Sequence, residues 1–170
     1  MRVTTAAAAA VLGAAALLGS AGTATAATAH TATTATADPA GGHGSHLVRL
    51  DGRQEVPGPG DPDGSGRLNY RIHHGKFCYK LSVRDIAPPN AAHIHFGPRG
   101  EAGPIAVTLR TPPENGSVRG CIRAQQTQTP QNAARVLTRW ELQGIKQNPF
   151  FFYVNVHTPE FPAGAVRGQL

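Results

Sequence analysis

The chain has 170 residues, a formal net charge of +6, 20 glycines, 14 prolines and 15% charged side chains. That length suits one domain of common size. The basic residues are scattered with no aromatics interleaved, which argues against a nucleic-acid footprint; the mild positive charge suits small anions or acidic cell-surface polymers.

Met1 to Ala26 reads as a secretory signal peptide: Arg2 gives a positive start, Ala6 to Leu18 an apolar run broken only by Gly13, and Ala24-Thr25-Ala26 a small-x-small cleavage site. The run is too short to span a membrane, which takes about 20 apolar residues, and no later stretch is long and apolar enough. Residues 27–45 are mostly Ala, Thr and Gly. Such side chains bury too little surface to offset ordering entropy, so this stretch is expected to be a disordered spacer. Residues 46–170 are left as one folded domain, outside the cell.

That domain reads as short strands between turn clusters. His46 to Leu50 is the first, followed by a polar stretch to Glu55 and a Gly/Pro loop from Pro57 to Gly66. Arg67 to His73 alternates with Leu68, Tyr70 and Ile72 on one face, and Phe77 to Val83 alternates with Phe77, Tyr79, Leu81 and Val83 inward. The two make a hairpin turning at His74-Gly75. Further strands are expected over Ala91 to Phe96, Ile105 to Leu109, Val118 to Arg123, Phe150 to His157 and Ala165 to Leu170. Between Pro130 and Gln143 the pattern changes. Val136, Leu137, Trp140 and Leu142 fall at helical spacing, Gly144 lies just past the end, and Asn148-Pro149 stops the segment. The expected fold is mainly β, an antiparallel sandwich or barrel of about eight strands with one short helical insertion.

Two cysteines, Cys78 and Cys121, lie in strand segments. In an exported chain an even count favours a disulfide over two buried thiols.

The chemistry-bearing residues are histidines. His93 and His95 share one strand face, about 6 to 7 Å apart, while Ile94 points the other way. His157 ends a strand in which Val154 and Val156 take the opposite face. Three imidazoles from two β segments suit zinc or copper. Glu160, three residues after His157, is a further candidate ligand or acceptor for a ligand's outer N–H. A metal-free reading has the three histidines bonding the neighbouring Gly/Pro loops. His73 and His74 at the turn, and His30, His43 and His46 in or beside the spacer, are read as solvated. No nucleophile elbow or carboxylate pair stands out, so hydrolase chemistry is not expected.

Ala92 to Gly97, Gly100 to Ile105 and the long block Phe151 to Leu170 resemble the CHRD domain, a module named for chordin, the secreted inhibitor of bone morphogenetic proteins. The resemblance covers His46 to Leu170, and the two-cysteine pattern is similar to that of bacterial members. It implies an extracellular β-sandwich-type module of unassigned activity whose signature includes the positions of His93, His95 and His157. The resulting expectation is a secreted binding or structural module, with an unknown extracellular ligand and a candidate three-His site for copper or zinc. The alternative is a copper- or zinc-dependent metalloenzyme with superoxide-dismutase-like redox chemistry. That comparison is only fold-level, and residues 97–104 lack the histidine that a bridged two-metal site would need.

Overall fold

A computed structural model describes residues 44–170. The expected signal peptide and all but the last two residues of the expected spacer lie outside them, as do His30 and His43. The strands are β1 (His46–Asp51), β2 (Ser65–His73), β3 (Lys76–Arg84), β4 (Ala91–Phe96), β5 (Ile105–Thr108), β6 (Ser117–Arg123), β7 (Phe152–His157) and β8 (Val166–Gln169). They form one antiparallel sheet in the order β5-β4-β7-β8-β1-β2-β3-β6, curled into a half-barrel. The β architecture expected from the sequence is borne out.

Alternation builds the inner face. Leu68, Leu81, Phe77, Ile94, Val107, Val154, Val156 and Val166 are all fully buried. Each such side chain contributes roughly 1.5–3 kcal/mol relative to exposure. The β2–β3 hairpin turns where anticipated. His74 and Gly75 both take positive φ, 47° and 68°, the pattern of a two-residue turn whose twist matches the strands.

The sheet's two edge strands, β5 and β6, are consecutive in sequence. The segment between them reaches β3, the neighbour of the edge strand β6, where the backbone N–H of Arg110 donates to the Tyr79 hydroxyl at 2.8 Å. In the β3–β6 pair Cys78 stands directly opposite Cys121, and the two are disulfide-bonded.

The helix is displaced from its expected position. α1 spans Arg139–Gln147, preceded by a 3-10 turn at Ala133–Arg135. The cause is a capping box. Thr138 Oγ1 accepts from the Glu141 backbone N–H while the Glu141 carboxylate accepts from the Thr138 N–H, which fixes the start of the helix. Val136 and Leu137 therefore precede the helix, Gly144 lies inside it, and Leu142 and Ile145 are its buried positions. Trp140, placed on the apolar stripe by spacing, is 74% exposed. Asn148-Pro149 does end the helix.

Candidate functional site

The outward face of β4, β7 and β8 is polar yet largely buried. Register sets His93 opposite Asn155 and Asn155 opposite Arg167, then His95 opposite Tyr153 and Tyr153 opposite Gln169. His157 pairs with Ala91, two residues from the His93–Asn155 row on the side away from His95. Period-two alternation thus puts all three candidate histidines on one side, with Ala92, Ile94, Val154 and Val156 in the core behind them.

Two loops cover this face. Residues 97–104 fold back over it, and any side chain at Gly103 would collide with the Phe96 carbonyl. That close approach brings the Gly103 carbonyl within 2.8 Å of His95 Nδ1. Residues 158–164 turn back at the other end, and the Pro162 carbonyl lies 3.0 Å from His157 Nδ1. A backbone carbonyl can only accept, so both Nδ1 atoms carry the proton. Neutral rings then leave both Nε2 atoms as bare lone pairs.

These lone pairs point inward. His93 Nδ1 is 3.1 Å from His157 Nε2 and donates to it, and Asn155 Oδ1 lies 3.1 Å from the same Nε2. His95 Nε2 is buried without a hydrogen-bond partner. One ring nitrogen from each histidine lies within 4.8 Å of the others. Nitrogens bound 2.0–2.1 Å from one ion stand about 3.4 Å apart in a tetrahedron. The cluster is therefore open by up to about 1.4 Å for such an ion, and ligation would need ring rotations and loss of the His93–His157 bond.

The rings are held neutral. Burial, with repulsion from a charged His157 or His95, lowers His93 to about 4. Burial likewise lowers His95, with His157 and Arg167 adding to it against the bond to Gly103 and the pull of the nearby Asn155 side chain, and lowers His157 against the bond to Pro162. Uncharged imidazole is the form that ligates a metal.

Glu160 is exposed and is not among the three converging groups; backbone carbonyls take the outer N–H groups instead. His46 stacks on Tyr70 at 4.8 Å between ring centroids, and His73 and His74 meet at the hairpin turn, 5.6 Å apart. Asn155, Tyr153 and Arg167 join the site without having been expected there. A polar residue inside the apolar run of β7, at the parity of His157, was the signal for Asn155.

Arg167 is 1% exposed and lies 3.5 Å over the Tyr153 ring, whose near side towards β4 stacks on His95 at 4.7 Å. Glu55, also buried, has a carboxylate oxygen without a hydrogen-bond partner. Burial pushes it up to about 7 from an ordinary 4.5, against the pull of Arg167 and a backbone bond. The folded state then keeps a proton that the unfolded chain releases above pH 4.5, so stability is lost as pH rises towards and through 7. Glu55→Gln should stabilise the domain by about 2–3 kcal/mol at pH 8 and change little at pH 4. Urea unfolding at the two pH values tests this; equal effects at both would refute it.

No curated protein and no solved structure matches the chain. The family model of the CHRD domain matches residues 47–170, nearly all of the described structure, and the chain belongs to the CHRD family.

Proposed function

We propose that this CHRD module is exported and works by binding rather than catalysis, holding one zinc or copper ion at His93, His95 and His157. The observation that carries the metal assignment is the buried, unpartnered Nε2 of His95 facing the converging nitrogens of the other two rings. A buried acceptor without a partner costs about 1–3 kcal/mol, and a cation at that point would satisfy it. The Asn155 carbonyl oxygen, beside the His157 lone pair, offers a fourth donor. The outward N–H bonds to Gly103 and Pro162 fit the carbonyl orienting shell common around ligating histidines. They equally support the reading in which the rings simply staple the loops, so the two readings differ only at the inward nitrogens. Export is supported by the amino-terminal segment and by a disulfide, which suits an oxidising compartment. No observation favours the redox-enzyme alternative.

The full chain, prepared without an affinity tag of histidines, should take up one equivalent of zinc or copper. At a hundredfold excess over Kd the ion should stabilise the fold by about 2.7 kcal/mol, and His95→Ala should remove that increment. Retention of no ion, together with an unchanged melting temperature on adding either metal, would leave only the loop-stapling role.

A further inference from the structure

A concentration of cations lies away from the histidines, on the outward face of β1, β2, β3 and β6. Register sets Arg49 opposite Arg67, Lys80 opposite Arg119 and Lys76 opposite Arg123. Arg71 and Arg84 stand at the same parity on β2 and β3. Like charges directly opposite destabilise a sheet, so folding alone does not account for three such pairs. Two carboxylates, Asp51 and Asp85, share the lining of the larger cavity on this face with these cations, and Asp51 is already paired with Arg53 at 3.5 Å. Among the described residues none of these eight cations has a carboxylate within ion-pair distance.

The face is also hollowed. A cavity of about 760 Å³ is lined by Arg49, Arg67, Lys80 and Arg84 with the hydroxyls of Ser82 and Ser117. A second, of about 420 Å³, shares Asn69 and Lys80 with it and runs on to Arg71 and Arg119. Together they make one cationic trough that crosses the strands, with hydroxyl and amide groups between the charges.

We propose that this trough binds a linear acidic polysaccharide carrying carboxylates along its length. Five of the six cations that line the two cavities are arginines, whose planar forks pair bidentately with planar carboxylates. Adjacent strands are about 4.8 Å apart and same-face residues about 7 Å apart along a strand, so the cations repeat at roughly the spacing of successive sugar units. Serine and asparagine side chains in the trough can bond sugar hydroxyls. Single-stranded nucleic acid would call for aromatic platforms on which bases stack. Here Tyr70 and Tyr79 are buried on the opposite side of the sheet, and the exposed large apolar residue on this face is Leu47.

The test is binding of the full chain to polygalacturonate at low salt, with neutral dextran and oligothymidylate of equal charge as comparators. Polygalacturonate should bind, dextran should not, and affinity should fall as salt rises. Arg67→Gln with Arg119→Gln should weaken binding at least tenfold. Arg139→Gln with Lys146→Gln, the same change of charge on α1, should weaken it less than twofold. Relieving opposed cations should leave the melting temperature equal or higher, so a loss of binding is not a loss of fold. Equal losses in the two double variants, or oligothymidylate binding as tightly as polygalacturonate, would overturn the proposal.

Discussion

Replacing Arg167 with methionine should destabilise the domain by about 3 kcal/mol. Its Nη1 donates to the Glu101 carbonyl at 2.9 Å and its Nη2 to the Pro98 carbonyl at 2.9 Å. Hydrogen bonds from a charged donor contribute about 1.5–3 kcal/mol each. Against them stands the cost of burying a guanidinium, which burial already expresses by lowering the Arg167 pKa despite the pull of Glu55. Methionine removes that cost and keeps the length, but it leaves two carbonyls under the loop without donors and removes the cation over Tyr153. The loss of the paired interactions outweighs the relief, as it does when one partner of a buried polar set is deleted.

The damage should not stay local. Residues 97–104 supply the Gly103 carbonyl that fixes the His95 tautomer, so the methionine variant should also bind zinc about tenfold more weakly. Urea unfolding of the metal-free protein and a zinc titration read the two effects separately. A change in unfolding free energy under about 1 kcal/mol would show that Gln169 Nε2 on the Gly97 carbonyl, and the Gly103 N–H on the Tyr153 hydroxyl, hold the loop unaided.

What could be read in advance follows from which signals are local. Period-two runs such as Phe77 to Val83, and the His74-Gly75 turn, carry their own geometry, so the strands and hairpin were legible. The shared face of His93, His95 and His157 needed only parity within each strand. Helix α1 starts later than its apolar spacing suggests because the Thr138–Glu141 capping box, not the spacing, sets its first turn. Arg167 was missed because an arginine in a short terminal strand ordinarily points to solvent. Only the β7–β8 register and a loop far away in sequence bury it. The cationic trough was invisible for the same reason. Its charges sit at alternate positions in four strands, each diluted by apolar neighbours, and strand order is not written in any one segment.

Reducing the Cys78–Cys121 bridge should lower stability by about 4 kcal/mol, because it frees a loop of 43 residues in the unfolded chain. For a domain of this size that corresponds to a fall in melting temperature of roughly 10–15 °C. The native state adds a reason for the bridge to sit where it does. In the β3–β6 pair the disulfide lies between Lys76–Arg123 on one side and Lys80–Arg119 on the other. Both pairs push the edge strand β6 away from β3, and the covalent link opposes them at the midpoint. The stability lost on reduction should therefore be larger at low ionic strength than at 1 M salt, where the Debye length shrinks to about 3 Å. Thermal unfolding of the wild-type chain with and without dithiothreitol, at both salt concentrations, measures this without changing a side chain. If reduction costs the same at both, the opposed cations do not strain the edge. If it costs nothing at either, the bridge does not form in solution. Should the predicted difference appear, polygalacturonate added to the reduced protein should recover part of the loss, since a bound polyanion neutralises the repulsion that the bridge otherwise contains.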